Sequence, residues 1–249
     1  MRKRGAIGNM INEMGVALAI FTTTRNPFDY LLFRAHIRKS AMMLPKSGSE
    51  SRLFLLPGSA TLTYMGKRLA FEYNSAALRI VPLALMEIFT YEPYKELKVR
   101  GREVVDVGAS VGDTAIYFLT RGARKVYCFD RDAYRISVLR RNLKRNRLQK
   151  YVKVFQGEFD ARKLKLKGSK NSLKVDCEGC EYSLFDPSGA HLDYITSRFS
   201  QIVMEFHRGD REIRKALEQR GYRVRSSGNG NGRGILYARK ANRRNAVRV

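Results

Sequence analysis

From Glu103 onward the hydrophobic pattern of the chain alternates between two kinds of segment. Short, nearly continuous apolar runs (EVVDVG, KVYCFD, VKVFQG, SLKVD and QIVMEFH) alternate with stretches in which apolar residues recur every three or four positions. The periodic stretches are Thr114 to Thr120, Ala133 to Asn146, Glu181 to Asp186 and Arg211 to Gln219. Continuous runs predict strands buried on both faces, and the interleaved stretches predict the helices that cover them. The alternation implies βαβ units, a parallel sheet and right-handed crossovers. Two further runs, YRVRSS and GILYARK, have only GNGNGRG between them, turn chemistry that predicts an antiparallel hairpin. The expected fold is α/β, a Rossmann-like sheet of seven strands whose last hairpin is antiparallel.

The N-terminal part is less regular. Met10 to Phe21 and Asp29 to Met43 have helical spacing, and PKSGSESR reads as a loop. RLFLLPG and TLTYMGKRLAFEY read as short strands with turns at Pro57-Gly58 and Gly66. A helix is predicted from Ala76 to Phe89, ended or kinked by Pro82. The organisation expected is a small α+β extension over residues 1–70, a main domain over 71–240 and a basic tail over 241–249. The opening MRKRGAIGNMINEMGVALAIF imitates a secretory leader, but Asn12 and Glu13 interrupt it and its apolar run is short. No other stretch approaches the roughly 20 apolar residues of a membrane span, so the reading is a cytoplasmic protein.

Charge changes this picture more than composition does. With 44% hydrophobic residues the chain can bury a core, which excludes a disordered protein. Its net charge of +25 favours nucleic acid, phosphorylated molecules or an anionic surface as partners. The alternative is a solvated lysine- and arginine-rich surface. Only three cysteines occur. Cys128 lies in an apolar run, whereas Cys177 and Cys180 form a lone C-x-x-C without the further ligands that zinc requires. The set suggests a reducing compartment and no metal.

The loop after the first regular run is Gly108-Ala109-Ser110-Val111-Gly112, followed by Asp113. A dinucleotide-binding loop needs G-x-G-x-x-G so that the backbone can approach a pyrophosphate, and Ser110 stands where its second glycine belongs. A carboxylate at Asp113 suits a helix N-terminus but repels a pyrophosphate there. Asp106 adds a second negative charge. Both suit a cationic ligand, which points to S-adenosylmethionine. The alternative is a glycine turn that packs helix on strand. Asp130 ends the second run, 22 positions beyond Gly108, where a carboxylate can accept both hydroxyls of a ribose. After the third run, Glu158 can meet an adenine amino group and Phe159 can stack on its ring.

The fourth run ends in DCEGCEY, which brings together Asp176, Glu178 and Glu181. Such an acid cluster can orient a hydroxyl, hold an ammonium or bind a divalent metal, or simply cap a helix. The fifth run ends IVMEFH, where Val203, Glu205 and His207 share one strand face. His207, at the carboxyl edge, is the best-placed general base.

The motifs DVGASVGDTAIYF, LKVDCEGCEYSLF and QIVMEFH, in that order, resemble the FkbM family of S-adenosylmethionine-dependent methyltransferases. The likeness is to archaeal members particularly, in which FEYNS and EIFTYEPYKEL also precede the loop, and it covers roughly Phe71 to Lys240. It implies a class I methyltransferase fold and O-methylation of sugar or other small-molecule hydroxyls. By position it places Asp106, Gly108, Gly112 and Asp113 in the cofactor loop and Asp130 at the ribose. Asp176, Glu178 and Glu181 fall in the second motif. One departure is ARKLKLKGSKN, Ala161 to Asn171, a short lysine-rich link where members carry a longer segment. This link and the basic helix carrying Arg140, Arg141, Lys144 and Arg145 are expected to form one positive face for nucleic acid. Two other readings follow from the charge and the short link: an RNA methyltransferase, or a non-catalytic binder of S-adenosylmethionine or nucleic acid.

Overall fold

The computed structural model describes residues 52–56 (backbone alone), 59–72, 84–85, 87–228 and 231–241. The helices expected over Met10–Phe21 and Asp29–Met43, most of that over Ala76–Phe89, and nearly all of the tail lie outside the described residues. Strands β1 (Arg52–Leu56), β2 (Ser59–Tyr64) and β3 (Lys67–Glu72) form a small antiparallel sheet. Met65 and Gly66, between β2 and β3, both have positive φ, 49° and 73°, as a tight two-residue hairpin turn requires. β3 continues to Glu72, past the boundary expected at residue 70.

The large sheet contains β4 (Glu103–Val107), β5 (Lys125–Asp130), β6 (Val152–Gln156), β7 (Asn171–Val175), β8 (Phe199–Phe206), β9 (Tyr222–Gly228) and β10 (Gly234–Lys240). Its spatial order is β6-β5-β4-β7-β8-β10-β9, with β10 antiparallel to both neighbours and β4 to β8 parallel. This is the class I methyltransferase sheet, as the hydrophobic pattern predicted. Among the described residues five helices cover it: α1 (Asp113–Thr120), α2 (Ala133–Arg145), α3 (Glu181–Leu184), α4 (Ala190–Arg198) and α5 (Arg211–Gln219). α4 was not expected from the sequence.

Each sheet face has its own core. Val104, Val126 and Cys128 pack with Ile116 of α1, Leu139 of α2 and Phe71 of the small sheet. Val105, Phe129, Val175 and Met204 pack on the other face with Leu192 of α4 and Leu217 of α5. Alternate strand residues point to opposite faces, and both faces are dry, so the strands read as unbroken apolar runs. The small sheet is joined to the first face by side chains that imitate a strand. Asn142 accepts from the Glu72 N–H (2.6 Å) and donates to the Glu72 carbonyl (3.2 Å). One turn later, Asn146 does the same for Ala70, at 2.9 and 2.7 Å. Arg141 and Arg145 of the same helix clamp the Glu72 carboxylate at 2.7 and 2.8 Å.

These contacts correct the expected single basic face. α2 packs on the first face, whereas Leu164 and Leu166 of the lysine-rich link pack on the second. Sheet and core separate the two basic segments. Two of the four named α2 cations are also engaged with Glu72.

Candidate functional site

The parallel register lines up the ends of four neighbouring strands. Phe129 is level with Val107, Val107 with Val175, and Val175 with Met204. The next residue of each strand therefore forms a row along the carboxyl edge: Asp130, Gly108, Asp176 and Glu205. The chain reverses its direction of travel across the sheet between β4 and β7, and such a switch point opens a crevice where ligands of α/β sheets bind. Here the crevice is a cleft of about 980 Å³, large enough for more than one small ligand.

Gly108 has a φ of +79°, and a Cβ on it would lie 1.7 Å from the Asp176 carbonyl oxygen. The loop passes so close to β7 that only glycine fits. Ser110, at a φ of +46°, turns its N–H onto Asp130 Oδ2 at 2.8 Å, while Oδ1 takes the Asp132 N–H at 2.9 Å. Asp130 is thereby fixed, with its remaining lone pairs facing the cleft. Of the residues predicted to hold a cofactor, Gly108, Ser110, Asp113, Asp130, Glu158 and Phe159 line the cleft. Asp106 and Ala109 are fully buried behind it. Gly112 stands behind it too: its φ is +86°, and a Cβ there would meet Leu139 Cγ of α2 at 3.0 Å. Gly112 thus shapes the helix packing under the loop.

Lys174 was not singled out by its place in the sequence. Its ammonium is 1% exposed, 3.1 Å from Asp106 Oδ1, 3.7 Å from Asp176 Oδ2 and hydrogen-bonded to the Gly108 carbonyl at 2.8 Å. Thr114 donates to the other Asp106 oxygen at 2.5 Å. Burial opposes the charge on Lys174, but Asp106 and Asp176 outweigh it and raise its pKa. Lys174 therefore remains cationic and offsets Asp106, which is not the free negative charge expected from the sequence. Asp113, 5% exposed, is pushed up by burial to about 6, against the pull of Lys174. Asp113, Asp130, Asp176, Glu178 and Glu205 are among the acids that line the cleft.

The DCEGCEY segment differs from expectation in its sulfur chemistry. Cys177 and Cys180 are joined by a disulfide, not held as reduced thiols. Glu178, inside this four-residue ring, has a φ of +55° and an exposed side chain. Glu181, fully buried, accepts the Gly179 N–H at 2.9 Å and faces His207 Nδ1 at 2.9 Å. His207 Nε2 lies 3.2 Å from Glu178 and 4.0 Å from Glu205. Burial lowers the imidazole pKa, but the hydrogen bond to Glu181 and the charges of Glu181, Glu178 and Glu205 more than reverse this. His207 stands at the predicted strand end, yet it is not a free base: both ring nitrogens face carboxylates, and its protonated form has no lone pair to offer. The Glu205 carboxylate, pushed up to about 7 by burial and by Asp176 and Glu87, has no hydrogen bond among the described residues. Tyr94, from the segment before β4, donates to Asp176 Oδ2 at 3.1 Å and closes the row from above.

No protein-family model matches this chain, and no curated protein does. Solved structures resemble it in fold. A SAM-dependent methyltransferase from Aquifex aeolicus is 19% identical, with a TM-score of 0.47, over 66% of this chain and 97% of that one. A precorrin-6y C5,15-methyltransferase from Geobacter metallireducens is 17% identical, with a TM-score of 0.48, over 61% and 87%. A magnesium protoporphyrin IX methyltransferase from Synechocystis, with bound SAH, is 15% identical, with a TM-score of 0.47, over 67% and 87%. Among the described residues no helix is long and apolar enough to cross a membrane.

Proposed function

We propose that this protein is an S-adenosylmethionine-dependent methyltransferase whose acceptor is a hydroxyl of a sugar or another small molecule. The observation that carries the reading is Asp130, locked by two backbone N–H groups beside Gly108 with its free lone pairs toward the cleft. A carboxylate so placed suits the two hydroxyls of a nucleoside ribose. Asp113 and Asp176 then lie where a methionine ammonium and a sulfonium gain from negative charge. Phe129 and Phe159, whose rings are 5.5 Å apart, form the apolar side of the cleft that suits an adenine.

Methyl transfer to oxygen requires the hydroxyl proton to leave as the new bond forms, and a positioned base contributes about 10²–10⁴-fold. Glu205 holds that place by geometry: it is half-buried, stands one residue before the end of β8 beside Asp176, and its carboxylate has no hydrogen bond among the described residues. His207 positions Glu178 instead. Titration calorimetry with S-adenosylmethionine tests the cofactor, and transfer of a labelled methyl group to glycan, lipid and RNA extracts tests the acceptor. Binding of NAD with none of S-adenosylmethionine overturns the reading. Labelling of RNA at physiological salt moves it to the RNA methyltransferase suggested by the charge of +25.

A further inference from the structure

We propose that Asp176, Glu178 and His207 form a binding site for a divalent cation at the acceptor end of the cleft. One ligand atom from each of the three lies within 4.8 Å of the others. The Glu178 Oε2 to His207 Nε2 separation, 3.2 Å, matches two ligands at right angles on one ion. Metal–ligand bonds of about 2.2 Å place such atoms about 3.1 Å apart. Asp176 Oδ2 is occupied by the Tyr94 hydroxyl, while Oδ1 has no hydrogen bond among the described residues.

The second observation concerns the far side of the imidazole. A metal-bound histidine characteristically donates its other N–H to a carboxylate that fixes the tautomer and the ring plane. Glu181 is that carboxylate. It is fully buried, is itself fixed by the Gly179 N–H at 2.9 Å, and faces His207 Nδ1 at 2.9 Å. The Tyr182 hydroxyl accepts the His207 backbone N–H at 3.1 Å, anchoring the residue from below. With Nδ1 facing Glu181, Nε2 faces Glu178 at 3.2 Å and Glu205 at 4.0 Å. Such an array is self-repelling unless a proton or a metal ion stands within it. Two carboxylate oxygens and one imidazole suit an ion that accepts both hard and intermediate donors, as Mn²⁺ does. Lys174 faces Asp176 Oδ2 at 3.7 Å, and Arg208 also lines the cleft.

The role of the ion rests on the methyltransferase reading. There it would hold the acceptor oxygen as a Lewis acid and ease loss of its proton to Glu205. The existence of the site can be tested without that reading.

The experiment is calorimetric titration of the tag-free full chain with MnCl₂ alone, checked by the loss of the free-ion electron paramagnetic resonance signal. The expected result is one site per chain. Glu178→Gln, at a position whose side chain is 74% exposed, should fold normally and weaken binding at least tenfold, as should His207→Gln. Glu181→Gln touches no ion, yet as a positioning residue it should weaken binding 10–100-fold. Saturation without Glu178 and His207, or no uptake of Mn²⁺ by the wild-type chain, overturns the site. Mn²⁺ uptake with no binding of S-adenosylmethionine leaves the site standing and overturns the methyltransferase reading instead.

Discussion

Gly108 and Asp176 meet backbone to backbone: the space a Cβ of Gly108 would need is filled by the Asp176 carbonyl oxygen, 1.7 Å away. Gly108→Ala must push β4 and β7 apart at the switch point, since neither atom belongs to a side chain that can swing aside. The expected cost is about 2–4 kcal/mol, from overpacking and the positive φ together. Gly112→Ala, also at a positive φ, is tight only against the Leu139 side chain, with Cγ at 3.0 Å and Cα and Cβ at 3.6 Å, and should cost less. Urea midpoints of the two variants check the order, and cofactor binding should fall more for Gly108→Ala.

Asp130→Ala removes the acceptor that Ser110 and Asp132 hold in place. Loss of charge-assisted hydrogen bonds of about 1.5–3 kcal/mol corresponds to a tenfold to hundredfold weaker Kd for S-adenosylmethionine. Calorimetry on a variant with an unchanged circular dichroism spectrum provides the check. An unchanged Kd would remove Asp130 from the ribose site.

Lys174→Met leaves Asp106 buried without its counter-charge. Breaking a buried pair from one side costs about 3–5 kcal/mol. The double variant Lys174→Met with Asp106→Asn should recover much of that loss, because the orphaned charge is gone. Equal stability of the single and double variants would show that the pair is not coupled.

Asp113 sets a pH dependence of known sign. Burial raises its pKa from the ordinary 3.8 to about 6, so between those values the native state keeps a proton that the unfolded chain has released. Stability must therefore fall as pH rises through that window, by up to about 3 kcal/mol, since each pKa unit is worth about 1.36 kcal/mol. Denaturation midpoints of the wild-type chain and of Asp113→Asn, compared from pH 3.5 to 7, should differ by this decline, while the fall that Glu205 adds above pH 4.5 remains in the variant. A cationic ligand beside Asp113 favours the ionised form, so S-adenosylmethionine affinity should rise over the same range.

The basic surface calls for separate tests of its two halves. Replacing Lys163, Lys165 and Lys167 with glutamine, or Arg140 and Lys144, should each reduce the salt dependence of polyanion binding on its own. The log–log slope should change by about 0.7–0.9 for each phosphate that is no longer neutralised. Arg141→Gln with Arg145→Gln should also lower the Tm, because both residues clamp Glu72. A Tm unchanged from wild type would deny these pairs a structural part.

Most of the main sheet was legible because its central strands, buried on both faces, leave nearly unbroken apolar runs, and because GNGNGRG marks the final hairpin. Asp130, Gly108 and Asp176 were legible for a related reason: a polar residue at the end of such a run falls on the carboxyl edge. Lys174 was not, because a charge inside a buried strand has meaning only with its partner, and Asp106 lies 68 positions earlier. The two partners of His207 were hidden likewise, since sequence supplies the imidazole but not what faces each nitrogen. α4 escaped because AHLDYITSR separates its apolar and polar positions only weakly around the helix, burying Leu192, Ile195 and Thr196. Spacing also could not show that α2 and the link lie on opposite faces, since α2 joins β5 to β6 and the link joins β6 to β7, and sequence does not say which face a crossover takes.

The placement of β10 bears on the order in which the cleft is completed during synthesis. β8, which carries Glu205 and ends at Phe206, pairs with β7 on one side and with β10 on the other, and β9 lies beyond β10. As the chain leaves the ribosome, β8 therefore presents an open row of backbone donors and acceptors until residues 234–240 arrive, although β9 is made first. An unpaired edge of that kind recruits other strands. The acceptor half of the cleft is thus the last part of the sheet to be enclosed. A nascent chain arrested after β9 would have the cofactor loop in place and an unfinished, adhesive wall opposite it.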